Sequence, residues 1–286
     1  MAEKLFSFRW DIDHRACMTD GIPKVQSLCR EFGVPNTFFV NMGRSTNLKE
    51  WLGGGLKGTK AKLTDMEAIN LIEKIGWPRF ILETIMSRPV GRSFVSSLQS
   101  LQADGHELGL HGGSDHVVWS RKFAQLPEEF IVEDVSKTLE FFESVFGRPT
   151  GFTSPGFKSD ERIMRLVQDL GFEYHGDAIG GMPHRSEADG HKLDHWTIPV
   201  TVCGPRTIPY LEWHGAKKTP IEDVMDDFQG ILDEERLVVL YGHPCYEGVE
   251  IETLRRIFEA VENSGFDFVT HADLAKRLAN NQLSLN

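Results

Sequence analysis

LFSFRWD, residues 5–11, decides how this sequence folds. Apolar β-formers alternate with polar residues, the period-two pattern of a strand whose two faces meet different surroundings. The stretch runs into Asp11-Ile12-Asp13, so two carboxylates leave the strand end on the same side. A helix is expected from about Asp20, an N-cap candidate, to Gly33, a C′ candidate, and NTFFVN (36–41) reads as the second strand. After a glycine-rich loop (53–58), TDMEAINLIEKIG (64–76) opens with Thr64 and Glu67 at capping-box spacing. The alternation continues, with strands expected at 107–111, 151–154, 172–175, 195–200, 209–213, 236–241 and 266–269. Helices are expected at 92–103, 128–146, 160–170, 220–232, 250–264 and 272–279. Repeated strand–helix units imply an α/β fold with a mainly parallel sheet, whose chemistry lies at the carboxyl ends of the strands.

With 286 residues the chain can bury a large core, and no linker, repeat or change of composition divides it. A single domain over 1–286 is expected. The formal charge of −11, without a basic stripe interleaved with aromatics, argues against nucleic acid as a partner. Cys17, Cys29, Cys203 and Cys245 form no CxxC pair and no zinc-finger spacing, so reduced, buried thiols are expected. MAEKLFSFRW lacks the apolar core of a signal peptide, and no stretch is long and apolar enough to span a bilayer. These readings place the protein in the cytoplasm.

Two carboxylates as close as Asp11 and Asp13 repel one another unless a cation neutralises them. A metal held by one, with the other left as a base, resolves that conflict. HELGLHGGSDH (106–116) delivers His111 from a strand end and His116 after a glycine turn, with Asp115 competing for the same task. Two imidazoles and a carboxylate suit zinc, or iron, cobalt or manganese, with open positions left for water and substrate. VVLYGHP (238–244) places His243 after a buried strand, and YHGD (174–177) does the same for Asp177. An imidazole beside a carboxylate is a candidate general acid.

In this order the stretches resemble the polysaccharide deacetylase family, over nearly the whole chain. The resemblance implies a NodB-type domain, a distorted (β/α) barrel. DID is similar to the family's first motif, which makes Asp11 the general base and Asp13 a metal ligand. HGGSDH resembles the two-histidine motif. Aligned on Trp119 with one residue inserted at Gly112-Gly113, it makes His111 and His116 the ligands and leaves Asp115 to orient one of them. GFTSPGF resembles the third motif, which sets Thr153, Ser154, Pro155 and Gly156 along the substrate, and HPCYEG adds Glu247. His243 becomes the catalytic acid, tuned by Asp177. Where the third motif usually carries an arginine that pairs with the base, this chain has Thr153, and Arg9 or Arg15 is left to supply the charge.

NMGR (41–44), GDAIGGMPHR (176–185), WTIPVT (196–201) and HPCYEG (243–248) are similar to one branch of the family, the deformylases of formamido-arabinose carried on phosphoundecaprenol. The resemblance implies a divalent metal, most simply Zn2+, and an N-acylated aminosugar, lipid-linked in that branch, that loses a formyl or acetyl group. Two rivals are an allantoinase-like hydrolase of a soluble amide or cyclic imide, and a catalytically silent scaffold that binds carbohydrate or lipid. GWPRFILETIMSRPVG (76–91) falls where that branch has an apolar extension. It reads either as a core helix or as an interfacial helix resting on the inner face of the cytoplasmic membrane.

Overall fold

Strand β1 (Leu5–Ile12) is buried along its whole length, so its alternation separates two kinds of interior rather than core from solvent. The computed structural model describes residues 3–46 and 76–283; the loop at 53–58 and all but Gly76 of the helix expected over 64–76 lie outside them. Phe6, Phe8, Trp10 and Ile12 face the surrounding helices in the main hydrophobic core, and Phe8 stacks on Trp10 at 4.0 Å. Burying each of these side chains stabilises the fold by about 1.5–3 kcal/mol. Ser7, Arg9 and Asp11 alternate with them and point into the curl of the sheet. There the Arg9 guanidinium is fully buried among the rings of Phe39, Phe157 and Tyr241.

β1 pairs in parallel with β2 (Thr37–Val40) from Arg9 onward and with β8 (Leu237–Gly242) from Leu5. β9 (Asp267–Phe268) lies beside Leu5 and Phe6, before β2 begins. Beyond β2 the sheet continues through β3 (Glu107–His111), β4 (Gly151–Thr153), β5 (Tyr174–His175) and β7 (His191–Thr197), all parallel. It ends in β6 (His184–Ala188), antiparallel to β7. The N–H groups of Thr201 and Val202 donate to the Val239 carbonyl at 3.0 and 3.3 Å, tying the chain after β7 back to β8. The result is a curled half-barrel with helices outside it, which is the expected fold.

Among the described residues the helices are α1 (Ile22–Phe32), α2 (Trp77–Met86), α3 (Val95–Ala103), α4 (His116–Lys122), α5 (Glu128–Phe146) and α6 (Glu161–Asp169). They continue with α7 (Tyr210–Lys217), α8 (Ile221–Glu234), α9 (Ile251–Asn263) and α10 (His271–Ala279). A π-helical segment, Cys17–Gly21, leads into α1.

Two expectations need correction. The strand expected at 209–213 is the start of α7. Pro209 presets the backbone for a helix start, and Tyr210 donates from its hydroxyl to the Val224 carbonyl and Asp227 on α8. β6 was not expected at all. It forms a hairpin with β7 around Asp189-Gly190, whose φ values of +52° and +75° are those of a type I′ turn. The four cysteines are free, with Cys203 half-buried rather than buried. Among the described residues no helix is long and apolar enough to cross a membrane.

Candidate active site

Four side chains converge from the carboxyl ends of three strands. Asp13 follows β1, His111 ends β3, His116 opens α4 and His243 follows β8. Asp13 Oδ1 lies 3.1 Å from His111 Nε2, and its Oδ2 lies 3.1 Å from His116 Nε2 and 3.4 Å from His243 Nε2. Asp13 Oδ1 and His116 Nε2 are buried, yet neither has the alignment of a hydrogen bond. Burial pushes the Asp13 carboxyl up, but the charge of His116 and contacts with His111, His116 and His243 outweigh it, leaving it well below the usual carboxylate range. Three nitrogen and oxygen lone-pair donors gathered this closely around one point fit a divalent cation. Asp13, His111 and His116 are therefore the residues that would hold it.

The local sequence explains the convergence. Gly112 adopts φ +66°, and a Cβ there would fall 2.5 Å from Pro155 Cδ, so the turn after His111 needs glycine. Its N–H donates to the Thr153 carbonyl at 2.7 Å. The Thr153 hydroxyl lies 2.7 Å from His111 Nδ1, which fixes the ring and leaves Nε2 turned toward Asp13. Asp115 caps α4 by accepting from the Val118 N–H at 3.1 Å. The helix thus begins at His116, with that side chain turned inward.

Asp11 forms a bidentate pair with Arg9, with Nε and Nη2 each 2.8 Å from a carboxylate oxygen. Two residues apart on one strand, the two side chains share the inner face, where β4 carries a threonine in place of an arginine. Arg15 instead stacks on Phe94 at 4.7 Å. Of the two candidates, Arg9 stands beside Asp11.

The partner of His243 is a correction. Its Nδ1 lies 2.6 Å from Glu212 Oε1, a buried acid in the first turn of α7. Asp177 is elsewhere, accepting from the Ser154 N–H with both oxygens at 2.8 and 3.0 Å. Burial pushes the Asp177 carboxyl up to about 6, against the attraction of Arg9. Sequence reasoning missed Glu212 because a strand was expected there. An acid in the first turn of a helix opened by proline was the available signal. Thr153, Ser154 and Pro155 are buried, and of these four Gly156 alone is exposed. Glu247 is buried too, with Oε2 accepting from the His243 backbone N–H at 2.7 Å, so it holds the loop that carries His243.

The polysaccharide deacetylase family model matches residues 4–175. The chain belongs to that family. Among solved structures, this deacetylase-family chain is similar to a protein from Pseudomonas aeruginosa PAO1 described as a polysaccharide deacetylase (TM-score 0.67, 13% identity, 96% of this chain and 91% of that one). It is also similar to one from Mycobacterium smegmatis with the same description (TM-score 0.64, 15% identity, 98% and 91%). An allantoinase gives a TM-score of 0.62 at 14% identity over 98% and 91%. At such identities these likenesses bear on the fold alone. In this family member Asp11, Asp13, His111, His116 and Thr153 fall inside the matched residues, while Asp177, Glu212, His243 and Glu247 lie beyond them.

Proposed function

We propose that this member of the polysaccharide deacetylase family is a metal-dependent hydrolase that removes a formyl or acetyl group from an N-acylated aminosugar. One observation carries the reading. The Asp13–His111–His116 cluster has a carboxylate paired with arginine on the same strand and a carboxylate-bound imidazole opposite it. A divalent ion there, most simply Zn2+, would polarise the amide carbonyl and lower the pKa of a bound water. Asp11, held by Arg9, takes a proton from the attacking water. The exposed Gly156 backbone offers an N–H to the oxyanion. His243 keeps Nδ1 on Glu212 and presents Nε2 to the centre, from which it protonates the leaving amine. The products are a free aminosugar and formate or acetate.

The surface around the site supports an amphipathic, lipid-linked substrate. α2 exposes Trp77, Ile81, Leu82, Ile85 and Met86, while Phe80 is buried beneath them. Ile179 and Met182 after β5 and Val249 after β8 are also exposed, on further loops leaving the carboxyl ends of strands. Such a rim suits an enzyme that works from the cytoplasm at the membrane surface. The test is mass spectrometry of N-formyl and N-acetyl aminosugars, free and undecaprenyl-linked, incubated with the metal-loaded protein. Free amine from the lipid-linked sugars is expected. Turnover of a small soluble amide in preference to every sugar would favour the allantoinase-like rival, and no turnover at all would favour the silent scaffold.

A further inference from the structure

Helix α2 turns most of its apolar residues outward, yet its single acid is buried: Glu83 is 5% exposed. Its carboxylate accepts from the Ala16 N–H and from the Ser45 hydroxyl, both at 3.2 Å, and His14 Nδ1 stands 3.8 Å away. His14 and Ala16 belong to the turn that follows Asp13, and the His14 ring lies 6.0 Å from that of His116. Ser45 ends the stretch Asn41–Ser45, which touches both ligand-bearing loops. Asn41 Nδ2 donates to the Asp13 carbonyl at 3.1 Å, and the Arg44 carbonyl accepts from the His116 N–H at 2.9 Å. The same stretch anchors the chain beyond α2, since Val90 donates to the Gly43 carbonyl and Gly91 to that of Asn41. Gly43 fits closely, because a Cβ there would fall 2.2 Å from the Ser114 carbonyl oxygen.

Burying a carboxylate is costly unless donors surround it, and Glu83 is the one charged group among the described buried side chains of α2, beside Phe80 and Thr84. The contacts of Glu83 with Ala16, Ser45 and His14 lead to a loop that carries Asp13 or to one that holds His116. We propose that Glu83 is a positioning residue for the metal-binding cluster, locking the loops of Asp13 and His116 to one another through Ser45 and setting their affinity for a divalent cation. The proposal rests on the reading of Asp13, His111 and His116 as a metal centre.

The test is a Zn2+ titration against a competing chelator, with Co2+ absorption as a second readout of ligand geometry. Glu83→Ala should bind Zn2+ about 10–100-fold more weakly, as when a group that orients a metal ligand is removed, and should alter the Co2+ spectrum. Glu83→Gln, which can still accept from Ala16 and meet Ser45, should restore most of the affinity. Thr84→Val is the control, since its buried hydroxyl on the same helix has no hydrogen-bond partner; its affinity should stay at the wild-type value. If Glu83→Ala does not fold, Ser45→Ala takes its place and should weaken binding in the same direction. Wild-type affinity in Glu83→Ala, or in Ser45→Ala where that variant stands in, would overturn the proposal, as would equal weakening in Thr84→Val. A wild-type chain that takes up no cation would instead overturn the metal centre, and this proposal with it.

Discussion

Asp13 is a buried carboxylate just past the carboxyl end of β1, Glu107 a half-buried one at the amino end of β3, and they have opposite surroundings. Glu107 is met by four donors: the hydroxyls of Thr150 and Tyr174 on one oxygen, and the Thr37 hydroxyl and the Ala272 N–H on the other, at 2.6–2.9 Å. Burial raises its pKa and those donors offset part of the rise. Asp13 is met by imidazole nitrogens that lie within 3.4 Å, with Oδ1 in no hydrogen bond. A carboxylate satisfied by donors joins strands and a helix together. A carboxylate ringed by three imidazole nitrogens has the donor set of a cation site. Burial alone does not distinguish architecture from chemistry; the character of the facing atoms does.

Substitutions at the two ends should therefore separate rate from stability. The largest effect is expected at the carboxyl end. Asp11→Asn and His243→Ala should each lower turnover by roughly 10²–10⁴, the range for general acid–base groups, with metal content retained in the folded chain. Steady-state assays on the deacylated product check this, and near-normal rates in either variant would remove that residue from the mechanism.

Glu107→Ala should do the reverse. It strands four donors in the interior, each costing about 1–3 kcal/mol, so urea unfolding should show a loss of about 3 kcal/mol or more. The folded fraction should still take up metal. A loss of metal at unchanged stability would break the contrast between the two ends.

Asp177 sharpens the contrast, because it is a half-buried acid that belongs to neither class. Its folded pKa of about 6 lies above the ordinary 3.8, so the folded chain holds this proton more tightly than the unfolded one. The stability it contributes is complete below about pH 4 and is lost as pH rises through 6, a change of up to about 3 kcal/mol. Asp177→Asn should remove that loss, so the variant gains on the wild type between pH 4 and 7 in denaturant titrations. Parallel pH profiles for the two chains would show that Arg9 and the Ser154 N–H already keep the carboxylate ionised at low pH.

Much of this was legible in the sequence, for definite reasons. Asp13 and His111 sit at strand ends, which strand periodicity places well, and His116 follows the glycine turn after the second of them. The inward face of β1 was also visible in the alternation of Ser7, Arg9 and Asp11, although both faces proved to be interior. Glu212 was hidden because Tyr210, Leu211 and Trp213 have strand propensity, and Pro209 with the packing against α8 overrode it. The β6–β7 hairpin announced itself in Asp189-Gly190, but its flanks are too polar to read as strands. Which arginine replaces the missing third-motif charge depended on a contact between side chains two residues apart. Only the fold distinguishes Arg9, pointing inward, from Arg15, on the turn beyond.

The central claim is that the cluster around Asp13 is a cation site built from His111 and His116, with Asp115 only a cap. Metal stoichiometry by elemental analysis of purified, Zn2+-equilibrated chains tests it directly. One equivalent is expected in the wild type and in Asp115→Ala, whose affinity should fall about 10–100-fold at most, and none in His116→Ala. Stoichiometric metal in His116→Ala together with an empty Asp115→Ala would contradict the account.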